Sequence, residues 1–198
     1  MKYENNCAIV SMGLINMIIE TKRLYLRQLT NDDFSSIMEI LGDSKTMYAY
    51  EHPFSKEEGM NWLNNQLNRY KKYGFGLWAV ILKDTDKLIG QCGITMQNTG
   101  DKEVYEVGYL FNRSYWHKGY AIEAASACRN YAFDVLSVNE VCSIIRTNNL
   151  ASINTAIRNG MLARGQITKH YYNMDMPHII FSINRKEYNK LTHKGDVL

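Results

Sequence analysis

The chain is short of the residues that staple, interrupt or anchor a protein. Its four cysteines, Cys7, Cys92, Cys128 and Cys142, are scattered with no C-x-x-C spacing. That speaks against a disulfide framework or a structural zinc site and points to a reducing, cytoplasmic setting. His117 and His170 lack metal-ligand company in the sequence, so no metal is expected. Only two prolines occur, and no repeat or low-complexity segment divides the chain. The longest apolar run, Cys7 to Ile19, is interrupted and too short for the ~20 residues that span a bilayer. No small-x-small cleavage site follows it and "MKYENN" before it is not convincingly basic, which disfavours a signal peptide. The net charge of +3 is too small to drive nucleic-acid binding by bulk electrostatics.

What remains is an ordinary globular composition, 45% hydrophobic and 22% charged, with length for one domain and a sizeable core. Residues 1–18 read as a leader, non-native or disordered, with Met12 and Met17 as alternative starts. Residues 19–190 read as the domain and 191–198 as a tail. "RLYLRQL" (Arg23 to Leu29) alternates as a strand, and Thr30 with Asp33 opens a helix through Leu41. Ser55 and Glu58 form a clearer capping box for a second helix carrying Trp62, Leu63, Gln66, Leu67 and Tyr70. Three strands follow, Gly76 to Lys83, Lys87 to Met96 and Val104 to Phe111, joined by polar hairpin turns. Then come a helix striped with Ala121, Ala124, Ala125, Cys128, Ala132 and Val135, a strand Glu140 to Thr147, a short helix ending at Gly160, and a closing strand pair. The order β-α-α-β-β-β-α-β-α-β-β predicts an α/β (α+β) domain with a mixed sheet.

The junction "YEVGYLFNRSYWHKGYAIEAA", Tyr105 to Ala125, carries the chemistry. A helix N-terminus leaves backbone N–H groups unpaired at the positive end of its dipole, a ready seat for a phosphate. Gly119 lacks the Cβ that would block such an anion from the backbone, although a plain strand–turn–helix connection accounts for one glycine equally well. The loop is neither a Walker loop nor a G-x-G-x-x-G fingerprint.

"WHKGYAIEAA" resembles the coenzyme A pyrophosphate loop of GNAT-type N-acetyltransferases, whose pattern is Q/R-x-x-G-x-G/A. Trp116 stands where that pattern has Gln or Arg. Trp116, Lys118, Gly119, Tyr120, Ala121, Glu123 and Ala124 fit the "W-x-K-G-Y-A-x-E-A" of the RimJ/RimL-type (ribosomal-protein-alanine N-acetyltransferase-like) branch. "IETKRLYLRQLTNDD", "YGFGLWAVILKDTDKLIGQCGI" and "NNLASINTAIRNGM" resemble other segments of that branch in the right order. The resemblance implies a mixed, mostly antiparallel sheet flanked by helices, whose splayed strands hold coenzyme A, with acetyl-CoA as co-substrate. It puts pantetheine beside Tyr109, Leu110 and Phe111, the pyrophosphate on the amides of His117, Lys118, Gly119, Tyr120 and Ala121 with Trp116 beside them, and Asn149 and Ser152 toward the thioester.

Acetyl transfer needs an ammonium deprotonated and a thiolate protonated. Glu106, on the cofactor strand with Gly108 and Leu110 on its face, is the candidate base, directly or through a water; a salt-bridged strand residue is the competing reading. The tyrosine acid usual in the family is replaced by Ala156, leaving Ser152 as the matching catalytic residue, with Tyr171 and Tyr172 as possible substitutes. Trp78 and Tyr171, with Tyr48, Tyr50, Tyr73 and Phe75, are candidate walls for the acceptor. The expected activity is direct transfer to a primary amine, on a protein N-terminus or a small molecule, by a monomer or homodimer. The alternatives are a non-catalytic acyl-CoA-binding sensor and a nucleotide-binding protein.

Overall fold

Alternation and hairpin turns build most of the sheet. In the computed structural model the described residues are 17–50, 52–100, 102–171 and 173–192. Strands β1 (Met17–Glu20), β2 (Leu24–Arg27), β3 (Leu77–Leu82), β4 (Lys87–Asn98), β5 (Glu103–Phe111), β6 (Glu140–Arg146), β7 (Leu162–Tyr171) and β8 (Met174–Asn184) form one sheet in the order β1-β2-β3-β4-β5-β6-β8-β7. Every neighbouring pair is antiparallel except β5 and β6. Five helices flank it: α1 (Phe34–Leu41), α2 (Lys56–Tyr73), α3 (Tyr120–Asp134), α4 (Leu150–Arg158) and α5 (Arg185–Thr192). The mixed single-domain architecture is the expected one.

The expected leader falls on residues 1–16, outside the described residues, and on Met17 and Ile18, which open β1. Of the expected tail, Leu191 and Thr192 close α5, and 193–198 lie outside the described residues. Neither β1 nor α5 was expected from the sequence. The first helix also begins later than its capping signal: Asn31–Asp33 is a 3-10 turn, and α1 starts at Phe34. Asp33 is occupied there by a bidentate pair with Arg27 at 2.7 and 2.8 Å and by the Thr30 amide at 2.8 Å. The capping box of α2 forms as read, Glu58 N–H donating to Ser55 Oγ and Ser55 N–H to Glu58 Oε2. Gly74 ends α2 at φ +78°, where a Cβ is disfavoured.

Helix α3 packs against β4 and β5 through Ala124, Ala125, Cys128 and Ala132, all buried, and Cys92 of β4 meets Cys128 at 3.4 Å between sulfurs. Val135, read as part of that stripe, is instead the exposed C-cap. Small side chains let the helix axis approach the sheet closely. That fixes the position of the helix N-terminus relative to β5.

Candidate functional site

The sheet opens where its only parallel pair begins. Strands β5 and β6 are in register at one pair, Glu106 and Cys142, and beyond it they part. Backbone groups freed by a splay need other partners, and side chains supply them. The Glu106 carboxylate accepts the Ile144 amide at 3.1 Å, Ser143 Oγ donates to the Val107 carbonyl at 2.7 Å, and Trp116 Nε1 donates to the Phe111 carbonyl at 2.8 Å. A cleft of about 720 Å³ runs through the opening, lined by Glu106, Tyr109 to Phe111, Trp116, Gly119 to Ala121, Asn149 and Ser152 among others. The expected cofactor residues and Glu106 thus meet in one place, except Lys118, which is exposed and turned back onto the Ser114 carbonyl at 3.1 Å and over the Tyr115 ring.

The phosphate end of the cleft is shaped by backbone. His117 and Gly119 both take positive φ, +59° and +80°, and Gly119 is the N-cap of α3. The first ladder bond of the helix is Glu123 N–H to the Gly119 carbonyl at 3.2 Å. The amides of Tyr120, Ala121 and Ile122 therefore precede the ladder, as the first N–H groups of a helix do. Glu123 pins this turn to the β1–β2 hairpin. It accepts Thr21 Oγ1 at 2.7 Å, the Arg23 amide at 2.9 Å and Arg23 Nε at 2.7 Å, while Arg23 Nη1 reaches the Lys118 carbonyl at 2.8 Å. Burial pushes the Glu123 carboxyl up, but these partners hold it below the usual carboxylate range. Arg23 was missed from the sequence because nothing local to it marks a partner a hundred residues away.

Asn149 caps α4, its Oδ1 accepting the Ser152 amide at 3.1 Å and the Tyr48 hydroxyl at 2.7 Å. Tyr109 spans the same gap, donating to the Ser152 carbonyl at 2.9 Å. Ala156, at the position of the absent tyrosine, is buried in the core.

Burial drives the Glu106 carboxyl above its ordinary range, and Lys169, the Ile144 amide, Thr95 and Arg69 only partly offset it. Thr95 Oγ1 is 3.3 Å from the carboxylate. A half-buried carboxyl with a raised proton affinity, open to a cleft, suits a group that takes up a proton from a bound ligand.

The acceptor walls need correction. Trp78 is fully buried, edge-on to Tyr131 of α3 at 5.2 Å, and does not line the cleft. Its register partner is Cys92, whose own partner is Tyr109. Alternation therefore points Trp78 to the α3 face, opposite Glu106. Phe75 is likewise buried, stacked with Tyr73, whereas Tyr48 and Tyr50 do line the cleft. Tyr171 ends β7 opposite Met174, and Tyr172 lies outside the described residues. Among the described residues no group of His, Cys, Asp and Glu is arranged to hold a metal, and no helix is long and apolar enough to cross a membrane.

Residues 23–162 match the family described as "Acetyltransferase (GNAT) domain". The chain is 34% identical over 170 residues to the uncharacterized protein YkkB of Bacillus subtilis (strain 168), covering 85% of this chain and 95% of that one. It is 32% identical over 155 residues to YnaD of the same organism, an uncharacterized N-acetyltransferase, covering 77% and 87%. Among solved structures, an acetyltransferase (GNAT family) from Bacillus anthracis is similar with a TM-score of 0.73 and 26% identity, covering 86% of this chain and 99% of that chain.

Proposed function

The chain belongs to the GNAT acetyltransferase family and is an N-acetyltransferase, and from that premise we propose that it moves the acetyl group of acetyl-CoA directly to a primary amine. The acceptor is a small molecule or a protein N-terminus, and the setting is the cytoplasm. The "W-x-K-G-Y-A-x-E-A" match at Trp116 to Ala124 supports a RimJ/RimL-like branch. The observation that carries the reading is the lone β5–β6 register pair set beside the unladdered amides of α3.

Those amides, with Gly119 bare of a side chain, suit a pyrophosphate; its charge is met by backbone dipoles rather than by Lys118. The parted edge of Tyr109 to Phe111 suits the pantetheine arm, and Asn149 and Ser152 flank the path toward the thioester. When bound, acetyl-CoA supplies the electrophilic carbonyl and a thiolate leaving group. Glu106 receives the proton of the acceptor ammonium, directly or through a water. The freed amine forms the new C–N bond and the C–S bond breaks; the second proton that the nitrogen sheds on becoming an amide passes to the departing thiolate, which leaves as coenzyme A. Ser152, a poor acid, contributes a hydrogen bond to the carbonyl oxygen or the departing sulfur.

Buried thiols support direct transfer: burial pushes Cys128 and Cys142 up, away from the reactive thiolate. An acetylated cysteine trapped during turnover would contradict it. The deciding experiment is coenzyme A release from acetyl-CoA with a panel of peptides and small amines. Release with at least one amine is expected; tight acetyl-CoA binding without release on any of them would favour a sensor.

A further inference from the structure

Glu106 shares its face of the sheet with a set of cations. Directly opposed residues on neighbouring strands share a face, as do residues two apart on one strand. Arg146 of β6 opposes His178 of β8, and Lys169 of β7 opposes Met176, two residues before His178. Two steps back along β6 from Arg146 lies Ile144, and two more lead to Cys142, the partner of Glu106. Arg146, Lys169 and His178 therefore open on the Glu106 side, and all three line the cleft, joined by Arg69 from α2. Among the described residues, Glu106 is the only carboxylate in that lining. Arg69 donates to Gln66 Oε1 at 3.3 Å and Arg146 to the Ala49 carbonyl at 3.2 Å. Neither Arg69 nor Lys169 is in an ion pair with a described carboxylate. Burial holds the His178 ring below its usual proton affinity, so at neutral pH it adds a polar wall rather than a charge.

We propose that the acceptor is a small amino-carboxylate, with its ammonium directed to Glu106 and its carboxylate received by Lys169 and Arg69, with Arg146 nearby. This rests on the acetyl-transfer reading above and narrows it. A lone ammonium would meet one carboxylate among several cations, and a polyamine would bring a second ammonium with no second described carboxylate to receive it. A zwitterion matches both signs at once. Because the cations and Glu106 occupy one end of the cleft, the acceptor's carboxylate lies within a few bonds of its nitrogen.

The test is coenzyme A release with α-, β- and γ-amino acids, each compared with its own primary amide, and with a polyamine. At least one acid is expected to exceed its amide in kcat/KM by about tenfold or more, the worth of one charge-assisted hydrogen bond. Lys169→Gln and Arg69→Gln are each expected to shrink that acid-to-amide ratio, chiefly through KM. Release confined to amides or polyamines, or an unchanged ratio in both folded variants, overturns the acceptor assignment while leaving acetyl transfer standing. No release with any of these amines overturns the acceptor assignment, and no release with the peptides of the wider panel either overturns acetyl transfer as well.

Discussion

At the scale of single residues, the proposed chemistry turns on Glu106. Its carboxyl is raised chiefly by burial, and a base works only when deprotonated, so kcat/KM is expected to rise with pH through that elevated value and then level off. Lys169 holds the carboxyl down; Lys169→Gln should therefore move the acidic limb to higher pH. Glu106→Gln should remove the limb and lower kcat by about 100- to 10,000-fold, the usual worth of a positioned general base. The folded state binds the Glu106 proton more tightly than the unfolded chain does, so ionising it costs stability as pH rises through that window. Thermal unfolding of Glu106→Gln at neutral pH should accordingly show no loss of stability. Glu106 was legible in the sequence because strand alternation puts it in line with Gly108 and Leu110. Trp78 was not: alternation alone gives two faces, and only the register with Cys92 says which one a side chain takes.

At the scale of elements, the cleft depends on two helix starts. The N-terminus of α3 is tied to the β1–β2 hairpin by Glu123. Arg23 is 40% exposed, so solvent screens much of that pair. Glu123→Ala should cost only about 1 kcal/mol in denaturant unfolding. Its larger effect should be a several-fold weaker Kd for acetyl-CoA, read by calorimetry, because the amides of Tyr120 and Ala121 lose their fixed position. The α4 start is different, since Asn149 is both cap and cleft wall. Asn149→Ala should lower stability by about 1 kcal/mol, whereas Asn149→Asp, which keeps an acceptor for Ser152 N–H and Tyr48, should not. The caps of α2 and α4 were visible as sequence motifs. Strand β1 is only four residues, and its first two, Met17 and Ile18, lie in the stretch read as a leader. Helix α5 is so polar that it shows no continuous apolar stripe, so neither had a local signal to find.

Across the whole molecule, the sheet parts at its parallel junction of β5 and β6, and the candidate site lies in that cleft. Trp78→Ala, in the core rather than the site, should cost about 3–5 kcal/mol in denaturant unfolding without altering which amines the remaining folded enzyme prefers. The element order from β2 to β8 and the strand–loop–helix junction at Gly119 were legible because they follow from local periodicity and one continuous segment. The face carrying Arg69, Arg146, Lys169 and His178 was not, because these residues come from four elements that only the folded chain brings together. What joins these scales is one claim, that an anionic cofactor seats its phosphates on the α3 N-terminus at Gly119. Titration calorimetry of acetyl-CoA into the wild type and Gly119→Glu tests it most directly, with circular dichroism to establish that the variant is folded. Gly119 stands at φ +80°, so any side chain there is strained and a glutamate also adds like charge. The account predicts measurable binding to the wild type and none to the folded variant; equal affinity in the two would contradict it.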